Sequence, residues 1–134
     1  MKTYLCGPIN GCTDDEAKGW REVATELLGG EVYDPMVRDY RGRELEPGIA
    51  AEIVENDKED ILMCGYVLVM YEKPSVGTSM EVFYAWEREI EVIVVDKSGK
   101  PLSPWLLYHS HKVVSTLQEA CDYINERNAR TKGN

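Results

Sequence analysis

A buried strand that runs into a small-residue turn and then a helix constrains this chain more than any other feature. Tyr66-Val67-Leu68-Val69-Met70 is an unbroken apolar run of strand length, the pattern of a strand covered on both faces. Pro74-Ser75-Val76-Gly77-Thr78-Ser79-Met80-Glu81 follows, and Val82-Phe83-Tyr84-Ala85-Trp86 then reads as a helix facing a core. Such a turn at the C-terminal end of a strand can present backbone N–H groups to an anion. It also sets one carboxylate, Glu81, at the mouth of an α/β sheet, where such sheets bind ligands.

The rest of the chain repeats this alternation. Lys2 to Cys6 reads as a strand stopped by Gly7-Pro8, and Thr13 or Asp14 caps a helix to about Leu28 that Gly29-Gly30 ends. Glu31 to Tyr33 is a second strand, and Met36 to Pro47 a polar, irregular and mobile loop. Gly48 to Cys64 is helical, Glu91 to Val95 and Lys112 to Val114 are strands, and Ser115 or Thr116 caps a last helix to about Asn128. The fold class expected is α/β, with three layers: a five-stranded parallel sheet and helices on both faces. Residues 1–128 form one domain in this reading and 129–134 a polar tail.

A chain of 134 residues can bury a core of its own. Its net charge of −9 argues against a nucleic-acid polymer or an anionic membrane as partner. A small anion remains open, because a helix N-terminus binds one locally. Cys6, Cys12, Cys64 and Cys121 show no zinc-ligand spacing, so free thiols in a reducing, cytoplasmic setting are expected. The first residues are strand-like rather than a signal peptide, and no apolar run has the length of a membrane span.

Asp57 is the second strong signal. Ile49, Ile53 and Ile61 form an i, i+4 ladder on the Gly48–Cys64 helix, and Asp57 occupies its missing rung, within an arc shared by Ala50, Val54 and Cys64. A carboxylate on a buried face is costly unless it has partners or a chemical role. Glu81 alone reads equally as a first-turn acid favoured by the helix dipole. Together, two carboxylates converging on one cleft suit chemistry at an acetal-like carbon, one attacking and the other moving protons. Tyr4 is a core aromatic or a hydroxyl that orients a carboxylate. Ser75 and Ser79 either donate to a phosphate or cap the helix. His109 and His111 read as core or solvated residues, with no metal site around them. Arg38, Arg41 and Arg43 read as a solvated loop, one of which can close over an anion. Gly7 and Gly11 do not make GxGxxG, and no Gly-Lys-Ser/Thr is present, which disfavours dinucleotide redox chemistry and ATP hydrolysis.

Taken together, Tyr4-Leu5-Cys6-Gly7-Pro8-Ile9-Asn10-Gly11, Asp57, and Ser75 through Glu81 followed by Tyr84-Ala85 resemble the nucleoside 2-deoxyribosyltransferase superfamily, which includes the 2'-deoxynucleoside 5'-phosphate N-hydrolases. The resemblance runs from Tyr4 to about Val114. It implies a flavodoxin-like fold and a homodimer with sites near the interface. Glu81 would attack C1' of the sugar, Asp57 would act as acid/base and hold the sugar, and Tyr4 would orient Glu81. Gly7, Ile9, Asn10, Gly11, Ser75, Gly77, Ser79 and Ser103 would bind substrate, a small nucleoside or nucleotide, without metal or organic cofactor. Ser75 resembles the nucleotide hydrolases, where a hydroxyl donates to phosphate, and Ser103 offers a second such contact. Pro8 and Asn10 depart from that pattern, standing where the mammalian-type hydrolase has a Ser and an Arg. The expected reaction is therefore N-glycosidic cleavage of a (deoxy)nucleoside 5'-monophosphate through a glycosyl-Glu81 intermediate. Base exchange between deoxynucleosides is the alternative, followed by a non-catalytic nucleotide-binding module or a glycosidase for a larger nucleotide.

Overall fold

The computed structural model describes the backbone of residues 1–133 and the side chains of residues 1–130. Five strands form one parallel sheet: β1 (Thr3–Cys6), β2 (Val32–Tyr33), β3 (Tyr66–Tyr71), β4 (Glu91–Asp96) and β5 (Lys112–Val114), in the order β2-β1-β3-β4-β5. Around it lie α1 (Trp20–Leu27), α2 (Ile49–Leu62), α3 (Val76–Glu87), the short α4 (Pro104–Tyr108) and α5 (Leu117–Gly133). The α/β class, the five parallel strands and the two helical layers are as expected from the sequence.

Period-two alternation divides each central strand between two cores. Tyr4 and Cys6, Val67 and Val69, and Val92 and Val94 pack with Ile61, Val82, Ala85 and Leu106 on the α2/α3 side. Leu5, Leu68, Met70, Ile93 and Val95 pack with Ala24, Leu28, Ala120, Cys121 and Ile124 on the α1/α5 side. The continuous apolar runs follow from this, since neither face of β3 or β4 meets water. β1 is registered on β3 with Tyr4 opposite Val67 and Cys6 opposite Val69. The chain leaves β1 for β2 on one side and returns to β3 on the other, so the sheet's switch point lies between β1 and β3. Ligands bind such sheets beyond the strand C-termini at that point.

Several local expectations change. The first helical segment opens with a reciprocal capping box, Thr13 N–H to Glu16 at 3.0 Å and Glu16 N–H to Thr13 Oγ1 at 3.2 Å. It then makes a π-helical turn, Asp15–Gly19, before α1 begins. Ala50 and Val54 are exposed, so the buried arc of α2 is narrower than expected and runs through Ile49, Ile53, Asp57, Ile61 and the following Cys64. The loop after β2 is tied down rather than simply solvated. A 3-10 turn, Pro35–Val37, is capped by Asp34, which accepts from Met36 N–H at 2.9 Å. Arg38 pairs with Asp60 and Asp57 of α2, and Arg41 with Asp39, Asp14 and the Cys12 carbonyl. Asp14, Asp57 and Asp60 are distant in sequence from these arginines, and local composition carries no trace of those pairings. The segment expected as a polar tail is helical through Gly133, with Asn134 outside the described residues. No helix among the described residues is long and apolar enough to cross a membrane.

Candidate functional site

Three elements converge at the β1/β3 switch point. β1 carries Tyr4 and Cys6 inward on the α2/α3 side. The chain leaves β3 through the Glu72–Pro74 turn, and Ser75 caps α3, its Oγ accepting from Thr78 N–H at 3.5 Å. Glu81 is the sixth residue of α3, one and a half turns from the cap, and points back towards β1. α2 packs beside α3 and brings Asp57 to the same cleft.

The Glu81 carboxylate is held at both oxygens. The Tyr4 hydroxyl donates to Oε2 in a short hydrogen bond, and the Cys6 thiol donates to Oε1 at 3.4 Å. Tyr4 is fully buried, so its ring is fixed by the core and its hydroxyl has one direction in which to point. Sequence reading treated Cys6 only as a buried thiol. The signal for a role was present, since Cys6 stands two residues after Tyr4 on the same face of β1.

Burial raises both carboxylic acids. Asp57 is pushed up to about 6, chiefly by desolvation and against the pull of Arg38, whose guanidinium lies 3.8 Å away. Glu81 is pushed up to about 7, again chiefly by desolvation, with the hydrogen bonds from Tyr4 and Cys6 opposing and the Asp57 charge adding. The two carboxylates are therefore within electrostatic reach. The N-terminus of α3 does little to offset this at Glu81. The dipole acts within the first turn, and Glu81 stands beyond it. Tyr4 and Cys6 are both pushed upward by desolvation and by the Glu81 charge, so each remains a proton donor.

The remaining candidates divide. Gly7 ends β1, and a Cβ there would stand 2.9 Å from the Trp20 ring, so the close approach of the turn to α1 requires glycine. Gly11 has φ +75° and supplies the left-handed residue of the following turn, where the Ile9 carbonyl accepts from Cys12 N–H at 3.1 Å. Ile9 and Asn10 lie in that turn, with no hydrogen bond to Glu81 among the described residues. Gly77 has open space above it, and Ser79 is exposed on the first turn of α3. Ser75 caps the helix with its oxygen and keeps its O–H free to donate. Ser103 caps α4, accepting from Trp105 N–H at 3.1 Å, on the same edge of the sheet but without a contact to the Glu81 cluster. His109 and His111 belong to an aromatic group with Trp86, Trp105 and Tyr108 on the far part of α3 and α4. A crevice lined by Pro8, Cys12, Trp20 and Met70 together with Glu16, Glu72 and Lys73 opens beside the β1 turn, and neither Glu81 nor Asp57 lines it.

Comparison with known proteins bears on the architecture. No protein-family model matches the sequence, and no curated protein matches it. Among solved structures, a 2-deoxyribosyltransferase from the psychrotolerant bacterium Bacillus psychrosaccharolyticus superposes with a TM-score of 0.73. The match covers 92% of this chain and 92% of that one at 19% identity. This chain shares that enzyme's fold. A conserved protein from Enterococcus faecalis V583 superposes equally well, with a TM-score of 0.73 and 14% identity over 94% of this chain and 98% of that one.

Proposed function

We propose that the protein is an enzyme of nucleosides or nucleotides that breaks the N-glycosidic bond through a covalent glycosyl-Glu81 intermediate. The observation that carries this reading is the Glu81 carboxylate held by the Tyr4 hydroxyl at the β1/β3 switch point, with Asp57 beside it. A carboxylate fixed by a hydroxyl, next to a second acid of raised proton affinity, is the arrangement needed for double displacement at an anomeric carbon.

In the first half-reaction a Glu81 oxygen attacks C1' and forms an ester bond. The bond from C1' to the base nitrogen breaks, its electron pair leaves with the base, and protonated Asp57 supplies the proton. In the second, an acceptor attacks C1', the ester breaks and Glu81 regains its charge. With water as acceptor, Asp57 takes the proton and the product is the sugar, or the sugar 5-phosphate when the substrate is a monophosphate. With another base, Asp57 takes that base's N–H proton and the product is a new nucleoside.

Two acceptors compete. The fold shared with a 2-deoxyribosyltransferase favours transfer to a base. Ser75 favours a 5'-monophosphate substrate, the expectation under which water is the acceptor. Its O–H is free at the N-terminus of α3, beside the open space over Gly77, where backbone N–H groups and the helix dipole favour an anion. A second copy of the chain is part of the proposal. Val76, Met80 and Phe83 are exposed along α3 and Trp105 and Tyr108 on α4, a surface that suits self-association and that sedimentation would test.

Chromatography of free base from ribo- and deoxyribonucleosides and their 5'-monophosphates, with and without an acceptor base, separates these outcomes. Release from monophosphates without acceptor establishes hydrolysis. A new nucleoside formed only with acceptor establishes transfer. Silence across the panel refutes both.

A further inference from the structure

Arg21 is the largest side chain fully shut off from solvent, and no step above uses it. It lies in the first turn of α1, on the opposite side of the sheet from Glu81. Its Nη1 donates to the Ala17 carbonyl at 2.5 Å and its Nη2 to the Gly7 carbonyl at 3.0 Å. The guanidinium also lies over the Trp20 ring, 4.7 Å from its centroid. Its Nε stands 3.5 Å from Asp34 Oδ1 without a hydrogen bond, and the Asp34 side chain is 28% exposed. So two neutral carbonyls and one partly solvated carboxylate surround a cation in the interior. Stability is a poor reason to keep such a group, because a well-packed apolar residue generally does as well. The Gly7 carbonyl it grips directly follows Cys6, whose thiol touches Glu81.

We propose that Arg21 is a positioning residue of the site: it clamps the turn after β1 through the Gly7 carbonyl and supplies, from beneath the sheet's edge, the positive charge that stabilises the Glu81 carboxylate, with Asp34 moderating that charge. The inference rests on the assignment of Glu81 as nucleophile. Four ionisable groups act on Glu81: Tyr4 and Cys6 from β1, Asp57 from α2 and Arg21 from α1. Asp57 disfavours ionisation, and Arg21 is the cation that opposes it. The same charge pulls Asp57 and Cys6 downward. A nucleophile raised to about 7 by its surroundings gains more usable carboxylate from each increment of this kind than one that is already fully ionised.

Two substitutions give opposite signs. Arg21→Gln removes the charge and keeps a donor for the Gly7 carbonyl. It should raise the titration midpoint of Glu81 by about 0.5–1 unit and move the acidic limb of kcat/KM upward with it. Asp34→Asn removes the moderating charge while an amide oxygen still accepts from Met36 N–H. It should lower both by about half a unit. Midpoints are read from the Glu81 carboxyl carbon by NMR, in protein carrying 13C-labelled glutamate, with Glu81→Gln identifying the resonance. A purely structural clamp would leave the midpoint in place or shift it the same way in both variants, and either result overturns the proposal. Should Arg21→Gln fail to fold, the downward shift in Asp34→Asn decides alone, and its absence is fatal. Opposite shifts in a protein that releases no base would uphold Arg21's role and refute the glycosidic reading instead.

Discussion

The two faces of one sheet have been put to different uses. On the α1/α5 side, Leu5, Leu68, Met70, Ile93 and Val95 pack with Ala24, Leu28, Ala120, Cys121 and Ile124, and the one fully buried charge there among the described residues is Arg21 at the start of α1. On the α2/α3 side the same strands contribute Tyr4 and Cys6, and the helices answer with Glu81 and Asp57. Tyr4 and Leu5 are adjacent in sequence and both fully buried, yet one ends in a hydroxyl bound to a carboxylate and the other in dispersion contacts. Burial therefore does not separate structure from chemistry here; what each buried side chain meets does. A polar cluster survives in the core because each of its donors has an acceptor. That order costs something, since both acids are pushed above their usual proton affinities.

The contrast is sharpest at Glu81. Glu81→Ala should reduce turnover by at least about 10^4-fold while circular dichroism and unfolding remain cooperative. On the opposite face, Leu68→Ala should do the reverse, costing about 3 kcal/mol in chemical denaturation and leaving kcat nearly unchanged. If Leu68→Ala abolished turnover in a folded protein, the division of labour would be broken.

A third test reads the cost of burying the acid. The folded protein holds a proton on Glu81 up to about 7, whereas the unfolded chain releases it near 4.5. The folded state thus binds more protons between these values, and this group's contribution makes stability fall as pH rises through that window. Glu81→Gln should remove that fall. It is expected to be more stable than the parent by about 3 kcal/mol at pH 8, an advantage that vanishes near pH 4. Denaturant midpoints of both proteins at the two pH values check this.

The smallest effect belongs to Tyr4. Tyr4→Phe keeps the ring and deletes one donor to Oε2, so turnover should fall roughly 10-fold and the acidic limb of kcat/KM should move upward, because a bond that favoured the carboxylate is gone. An unchanged limb would mean that the hydroxyl merely packs.

Much of this was legible in the chain. The apolar run ending at Met70 and the turn into Glu81 foretold a parallel sheet and set Glu81 beyond the C-terminal end of β3. The missing rung of the Ile49, Ile53, Ile61 ladder picked out Asp57. Arg21 and Arg38 were not legible, because their partners Asp34, Gly7, Asp57 and Asp60 come together only when strands and helices assemble. The upward push on Glu81 was not legible for a related reason. Position along a helix is local and visible in sequence, whereas desolvation depends on what packs above the carboxylate.

The most direct measurement is the intact mass of protein acid-quenched during turnover of whichever nucleoside or nucleotide the panel selects. The expected result is a population heavier by one sugar, with the adduct on the peptide containing Glu81, absent from Glu81→Ala. Turnover that proceeds with no adduct, and equally well in Glu81→Ala, would contradict the assignment of Glu81 as the nucleophile.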